Sequence, residues 1–425
     1  MTLGRLEKRV LDHLDFSGML EFLCSLVGVP SVGGSETAAQ LRVAEWMRES
    51  GIEVDLWNLD MEELKEHPAF SAEIERDEGV GVVGILGEDR GGRDLILNGH
   101  VDVVPPGDPE SWSFPPFVGR IENGEVLGRG ALDMKGGLAA GLFAAKAIKD
   151  SGVRLKGRLI LQSVIGEEDG GVGTLGAILR GYRGDGAIIM EPTGLSICPS
   201  QAGALNFRIT VRGRAAHGCV RAEGVSALEK FHVVHNELMA LETRRNHNCL
   251  DPLFRDYRVP FPLSIGRIEG GDWASSVPEW VRVEGRFGLA PDEDAGVARE
   301  EFQEALARIG GHDSWLRDNP PELEWWGGCF LPAQVSPEDP LVLELQNTVG
   351  DLGADEPLLK GVTFGSDMRL LVREAATPTV LFGPGDIRKA HAPDESIGVE
   401  DLKMTARTLA LTALRFCGYE DDKII

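Results

Sequence analysis

Residues 95–108 read LILNGHVDVVPPGD and place two polar side chains directly after a short apolar run. Residues 95–97 predict a buried strand, and His100 and Asp102 follow it. Side chains alternate along an extended chain, so His100 and Asp102 point to the same side. A histidine that binds a metal commonly needs a carboxylate or carbonyl to fix its tautomer, which makes the pair a candidate metal site. Taken alone, the pair is more typical of a turn before Pro105.

Two further segments place carboxylates beside predicted strands and helices. Asp133 lies where the glycine-rich loop in GRGALDMKGG passes into a long Ala- and Leu-rich helical pattern, and such an aspartate is also typical of a helix N-cap. Glu167 and Glu168 follow the strand-like run LILQSVIG, and strand carboxyl ends are the usual ligand sites of open α/β sheets. Adjacent side chains diverge, so one glutamate can bind a metal while the other faces a metal-held water. A bare pair of glutamates is also typical of a solvated turn.

Glu191 and His391 complete a set of candidate ligands. Glu191 ends the apolar run AIIM before the turn signal EPTG, and His391 follows a Gly- and Pro-containing loop downstream of a predicted strand. The set contains two imidazoles and three carboxylates at or beside predicted strand ends, a mixture that Zn²⁺ accepts well. The candidate ligands are His100, Asp133, Glu168, Glu191 and His391.

The first half of the chain alternates strand-like and helical patterns, which predicts an α/β fold. Its main domain should contain a mixed sheet with helices on both faces. Apolar runs predict strands at residues 81–86, 95–97, 159–164 and 187–190. A helical period covers residues 19–27 and 36–50.

After Glu191 the pattern changes to two strand-helix-strand units, which predicts a smaller α+β domain inserted into the main one. Its predicted strands cover residues 205–211, 262–268 and 281–289, and its predicted helices cover 226–243 and 295–309. Gly and Pro cluster at 327–332 and mark the second boundary. The prediction assigns 201–328 to the inserted domain, and 1–200 with 329–425 to the main domain. After the inserted domain, the chain adds a helix at 340–349 and a strand at 377–381 to the main domain.

Composition narrows the classes of partner and compartment. A formal net charge of -25 repels phosphate backbones and anionic headgroups, so we expect neither a nucleic-acid nor a membrane partner. The six cysteines form no C-x-x-C pair, which argues against a zinc knuckle and a redox dithiol. The first 16 residues are charged and amphipathic and lack the apolar core of a signal peptide. We expect a cytoplasmic protein.

Five motifs in this order and spacing resemble a family of zinc metallopeptidases and deacylases. The family includes acetylornithine deacetylase, succinyl-diaminopimelate desuccinylase, aminoacylases and glutamate carboxypeptidases. The resemblance runs over nearly the whole chain. Its motifs are NGHVDVVP, GRGALDMKGG, GEEDGGVGT, MEPTG and GPGDIRKAHAPDE.

The resemblance implies a centre with two zinc ions. In it, Asp133 bridges both ions, His100 and Glu191 complete one site, and Glu168 and His391 complete the other. Co²⁺ or Mn²⁺ are possible substitutes, because mixed N/O ligand sets bind several divalent metals.

Two further residues receive roles from the same resemblance. Asp102 would orient His100. Glu167 would be the general base that takes a proton from the attacking water and returns it to the leaving amine.

The inserted domain would be the lid or dimerisation domain of the family, in a homodimer. Its GRAAHG motif presents His217, which resembles the family histidine that reaches the carbonyl oxygen of the substrate across the dimer; a surface histidine is the alternative. The stretch GGDWASSVPEW departs from the family, since Ser275 or Ser276 stands where relatives have asparagine. Ser366 likewise stands where threonine is frequent.

Three other polar residues are candidates for substrate binding alongside Ser276. They are Asp367 and Arg369 in TFGSDMRLL and Arg286 on a predicted strand. An arginine is suited to bidentate binding of a carboxylate.

The sequence predicts an amidohydrolase whose substrate is a small N-acyl amino acid or a short peptide. An N-acyl amino acid deacylase is the leading interpretation, and a dipeptidase or carboxypeptidase is the second. A formamide is a further alternative substrate. A protein that binds metal or ligand without catalysis is the alternative of another class.

Overall fold

The computed structural model describes residues 3–247, 249, 251–353 and 358–420. These residues form two compact units. The larger unit contains the described residues up to Ser200, Gln334–Lys360 and those from Ser366 onward. The smaller unit contains Gln201–Ala333 and Gly361–Gly365.

In chain order the strands are β1 (Glu53–Asn58), β2 (Val80–Leu86), β3 (Leu95–His100), β4 (Arg120–Glu122), β5 (Glu125–Leu127), β6 (Leu159–Val164), β7 (Gly186–Ile189), β8 (Ile197–Gln201), β9 (Gly203–Arg212), β10 (Leu263–Gly270), β11 (Trp280–Leu289), β12 (Glu322–Phe330), β13 (Ala333–Gln334), β14 (Leu359–Val362), β15 (Thr379–Leu381) and β16 (Ser396–Gly398).

The helices are α1 (Arg5–Asp12), α2 (Phe16–Val27), α3 (Thr37–Glu49), α4 (Met61–Glu66), α5 (Gly136–Asp150), α6 (Val172–Leu179), α7 (Ala227–His247), α8 (Ala295–Ile309), α9 (Ser314–Asp318), α10 (Pro340–Asp351), α11 (Met368–Arg373) and α12 (Val399–Cys417). No helix in the described part of the chain is long and apolar enough to cross a membrane.

The larger unit is built on a mixed sheet in which β1, β2, β6, β3, β7, β15 and β8 are neighbours in that order. β3 pairs in parallel with β6 on one side and β7 on the other, while β2 pairs antiparallel with β6. All six residues of β3 and of β6 are buried, as near-continuous apolar parallel strands require. The predicted α/β fold class is confirmed.

Two polar side chains inside these buried strands, Asn98 and Gln162, form a hydrogen bond with each other. Asn98 donates from Nδ2 to Gln162 Oε1 and to Thr174 Oγ1, each over 3.0 Å. Hydrogen bonds of this kind remove most of the cost of burying an amide. They tie β3, β6 and α6 together directly below the point where the strands end.

The smaller unit contains an antiparallel sheet in the order β10, β11, β9, β12. Its core is formed by apolar residues of β9 and β11 together with those of α7 and α8, such as Phe207, Val283, Leu238 and Phe302. Two strand-helix units therefore enclose one core, because neither the sheet face nor the apolar helix faces can remain in water.

The second boundary of the smaller unit lies later than the sequence suggests. The prediction ends the inserted domain at 328, but β12 continues to Phe330 and pairs with β9, from Glu322 opposite Thr210 to Phe330 opposite Ala204. The unit accordingly ends at Ala333 and also takes in Gly361–Gly365. The Gly- and Pro-rich stretch 327–332, which marks the boundary in the sequence, overlaps the end of β12.

We predict that Gly137→Ala destabilises the protein by about 2 kcal/mol or more. A Cβ at Gly137 would lie 2.0 Å from the backbone oxygen of Met190, which directly precedes Glu191. Gly350, which is exposed near the end of α10, has nothing within 4 Å of such a Cβ, so Gly350→Ala should stabilise the chain by about 0.5 kcal/mol. Urea unfolding of both variants measures the difference, and equal stabilities would contradict the packing at Gly137.

Candidate metal centre

The candidate ligands converge because three of the central strands end side by side. His100 is the last residue of β3, Glu167 and Glu168 follow β6, and Glu191 follows β7. β3 is parallel to both neighbours, with His100 opposite Val164 and Asn98 opposite Ile189. The carboxyl ends of parallel strands meet at one edge of the sheet, so the side chains beyond them share that edge.

His100 faces three carboxylates. Its Nε2 lies 3.3 Å from Asp133 Oδ1, 3.6 Å from Glu191 Oε1 and 3.9 Å from Glu167 Oε2. The imidazole is 1% exposed, and among the described residues Nε2 has no hydrogen-bond partner. A buried nitrogen without a partner but ringed by carboxylate oxygens fits a site for a cation.

His391 faces the other oxygen of the same aspartate. Its Nε2 lies 3.4 Å from Asp133 Oδ2 and 3.1 Å from Glu168 Oε2. The side chain of His391 is 53% exposed, and its backbone has a φ of 61°. Asp133 is thus placed between two imidazoles, with one carboxylate oxygen towards each.

Asp102 connects the two halves of this cluster. His100 Nδ1 lies 2.9 Å from the backbone oxygen of Asp102 and 3.6 Å from its carboxylate Oδ1, so the carbonyl is the closer acceptor for a proton on Nδ1. In the neutral imidazole that assignment leaves the lone pair on Nε2, which faces Asp133. The other carboxylate oxygen of Asp102 accepts the backbone N–H of Glu168 over 3.0 Å.

The protein itself leaves this cluster with excess negative charge. Burial, and then the neighbouring Glu191 carboxylate, raise the pKa of Glu167 well above its usual range. Burial and Asp133 do the same for Glu191. Burial alone would raise the pKa of Asp133, but the imidazoles of His100 and His391 lower it. Divalent cations among these oxygens would replace protons and relieve the repulsion.

Glu395 is a buried residue that the sequence analysis missed. Its Oε1 accepts the backbone N–H groups of Gly130, Leu132 and Asp133 over 2.9, 3.0 and 3.2 Å, and its Oε2 accepts Arg129 over 2.5 Å. Glu395 therefore anchors the loop that carries Asp133 to the segment that carries His391. The only signal in the sequence is that it ends the motif GPGDIRKAHAPDE.

The candidates for substrate binding in the larger unit are both buried. Asp367 is fully buried, and burial raises the pKa of its carboxyl. Arg369 is 3% exposed, and its guanidinium donates to the backbone oxygen of Gly170 over 2.6 Å and to Ser71 Oγ over 3.2 Å. Through these contacts Arg369 holds the chain around Gly170, and its contact with substrate stays a prediction.

The other candidates lie in the smaller unit. His217 and Ser276 are both exposed and form an isolated β-bridge. The backbone N–H of Cys219 donates to His217 Nδ1 over 3.2 Å, which leaves Nε2 as the protonated, donating nitrogen. Arg286 donates to the backbone oxygen of Thr363 over 3.2 Å, and burial lowers its pKa.

Residues 96–415 match the model of the peptidase family M20/M25/M40. The chain belongs to this family. It is 32% identical over 350 residues, 77% of this chain and 80% of the relative, to the N-formyl-4-amino-5-aminomethyl-2-methylpyrimidine deformylase of Bacillus subtilis. The deformylase of the same name from Halalkalibacterium halodurans is 30% identical over 96% of this chain and 97% of its own length.

Among solved structures, a dinuclear metal-binding peptidase of the same family from Bacillus subtilis superposes with a TM-score of 0.63. It is 16% identical and covers 94% of this chain and 97% of its own, which shows a common fold. As a member of this peptidase family, the chain is a hydrolase that acts on C–N bonds.

We predict that Glu395→Gln lowers the free energy of unfolding by about 3 kcal/mol, because it leaves the Arg129 guanidinium buried without a countercharge. Glu400→Gln is the control, because Glu400 is paired with Lys403 on the surface. We expect this variant to unfold at the same denaturant midpoint as the wild type. Guanidinium chloride unfolding measures both. A Glu395 variant as stable as the control would contradict the role assigned to this carboxylate.

Proposed function

We propose that the chain is a two-metal amidohydrolase that removes a short acyl group from an amine, with Glu167 as general base. The observation that supports this most is the placement of Asp133, whose two oxygens face two different imidazoles at 3.3 and 3.4 Å. A single metal would require only one of these histidines. Both histidines have a second carboxylate nearby, Glu191 for His100 and Glu168 for His391.

We assign His100 and Glu191 to one cation, Glu168 and His391 to the other, and Asp133 to both. Zinc is the first choice because it accepts imidazole and carboxylate ligands together, and Co²⁺ or Mn²⁺ are alternatives. When bound, such cations supply Lewis acidity, which lowers the pKa of water and polarises an amide carbonyl.

Glu167 is the carboxylate that this assignment leaves free. It is 7% exposed, and its Oε2 lies 3.9 Å from His100 Nε2, so its carboxylate lies within reach of a water held by the proposed cations. Its carboxylate takes a proton from the attacking water as the water oxygen bonds to the acyl carbon. The C–N bond then breaks, and Glu167 gives the proton to the nitrogen of the departing amine.

His217 is proposed to stabilise the charge on the carbonyl oxygen. With Nδ1 engaged by the N–H of Cys219, its Nε2–H is available as a donor. A donor placed where charge develops typically contributes about 3 kcal/mol to the barrier reduction.

Two classes of amide are candidates for the substrate. The two deformylases favour a formamide of a small aromatic amine, since they are at least 30% identical to this chain. Arg286 favours an N-acyl amino acid, because no carboxylate in the described part of the chain forms an ion pair with its largely buried guanidinium. Dipeptides are a third class to assay, because they present the same amide to the same centre.

The smaller unit is proposed to be the lid and dimerisation domain. Two apolar side chains on it, Leu228 and Val220, are 55% and 49% exposed. Apolar groups at this exposure suit association with a second copy of the chain. The cytoplasm remains the proposed compartment.

We predict that Glu167→Gln retains two zinc ions per chain and loses turnover by at least about 100-fold. Glu168→Gln should instead lose one of the two ions, since Glu168 is a proposed ligand. Metal analysis after dialysis and an assay of released amine measure both effects. A zinc-loaded Glu167 variant with wild-type turnover would contradict the assignment, whereas a wild type that holds zinc but cleaves no amide would favour a binding protein.

We predict that Arg286→Met raises KM for N-acyl amino acids about tenfold or more and leaves KM for an uncharged formamide unchanged. Arg282→Met is the matched control, since Arg282 lies on the same strand and is exposed. Steady-state kinetics with both substrates measure the difference. An equal effect of Arg286→Met on both substrates would exclude recognition of a carboxylate by Arg286.

A further inference from the structure

The loop of residues 166–171, which carries Glu167 and Glu168, is closed by two backbone hydrogen bonds, from the N–H of Gly170 to the oxygen of Glu167 and from the N–H of Gly171 to the oxygen of Gly166. Gly166, Gly170 and Gly171 have φ values of 66°, 138° and 79°. Glycine adopts such conformations readily, and it is also the residue that restricts the backbone least. Three glycines in six residues leave the loop dependent on contacts from outside it, in addition to its own hydrogen bonds, for the placement of the two glutamates.

Arg76 provides the strongest of these contacts. It belongs to the segment between α4 and β2, and its guanidinium binds both carboxylate oxygens of Asp169 at 2.8 Å each. Asp169 directly follows Glu168 in the chain. A bidentate pair of this kind fixes both the distance and the orientation of the carboxylate.

The same segment also binds Asp169 through its backbone. The N–H of Ile74 donates to Asp169 Oδ2 and the N–H of Glu73 donates to the backbone oxygen of Asp169, each over 2.9 Å. Arg76 is held in turn by Glu36, whose Oε1 lies 2.6 Å from its Nη2. Arg76, Asp169 and Glu36 are 4%, 5% and 3% exposed, so the network is shielded from solvent.

We propose that Arg76 is a positioning residue of the catalytic centre: through Asp169 it sets the placement of the base Glu167 and the ligand Glu168. The inference rests on the proposed function, because it takes these two roles from it. Among the described residues the guanidinium of Arg76 donates to Ile74, Asp169 and Glu36 and to none of the proposed ligands, so we expect it to act on the reaction through the loop.

The experiment compares Arg76→Lys with Arg245→Lys, a matched control in the smaller unit. Arg245 is also a buried arginine between two carboxylates, with Glu293 and Glu301 each 2.6 Å from its Nη1. Lysine keeps the charge at both sites and removes the bidentate geometry. Both variants should lose a similar amount of stability, so a difference between them reports on the loop.

Three experiments are made on folded protein. They measure amide hydrogen exchange of residues 166–171, zinc affinity by competition with a chromophoric chelator, and the steady-state constants kcat and KM. For Arg76→Lys we expect exchange in the loop to rise and zinc affinity and kcat each to fall about tenfold or more, with KM within about twofold. Arg245→Lys should leave all of these within about twofold of wild type.

Unchanged exchange and zinc affinity in Arg76→Lys would overturn the inference, and so would equal losses in Arg245→Lys, which would indicate a general effect of stability. Failure of the proposed function has a different signature, namely an active Glu167→Gln enzyme. Exchange and zinc affinity require no substrate. If the wild type binds no zinc, amide exchange of the loop is the deciding measurement. Faster exchange in Arg76→Lys but not in Arg245→Lys supports the inference, and unchanged exchange in Arg76→Lys overturns it.

Discussion

The rest of the larger unit depends on one interaction. The carboxylate of Asp133 lies between the imidazoles of His100 and His391 and contacts both. Each of its oxygens lies within 3.4 Å of one imidazole nitrogen, and the carboxylates of Glu168 and Glu191 stand beside these histidines. Buried like charges at such distances repel one another strongly in a medium of low dielectric constant. The cluster is stable only with bound protons or bound cations, and its mixture of imidazole and carboxylate groups suits divalent cations.

Several features of the fold oppose this repulsion. Parallel pairing brings the carboxyl ends of β3, β6 and β7 to one edge of the sheet. The backbone hydrogen bonds between these strands therefore fix the positions from which the acidic side chains extend. Glu395 then anchors the Asp133 loop through three backbone N–H groups. Arg76 and Arg369 bind the loop that carries Glu167 and Glu168. Rigid support of this kind is what keeps a catalytic group within a few tenths of an ångström of its working position.

The sequence predicts the strands well because buried parallel strands are continuous apolar runs, and residues 159–164 coincide with β6. It also makes His100 and Glu191 candidates from their places at strand ends, and the two side chains lie 3.6 Å apart. It does not reveal Glu395 or Arg76, because an acid in a loop and an arginine in a connecting segment look like surface residues until their partners are known. Glu395 lies more than 260 positions from Leu132, and Arg76 lies 93 positions from Asp169 and 40 from Glu36. The end of the smaller unit was misplaced for a similar reason, since the partner of β12 lies on β9.

The central claim, a centre that holds two cations, is tested most directly by counting them. Metal-free protein would be reloaded with zinc, dialysed and analysed for zinc per chain, beside the His100→Ala and His391→Ala variants. Two ions in the wild type and one in each variant are the predicted result. A folded wild type that retains one ion or none, or a content that neither substitution changes, would contradict the account.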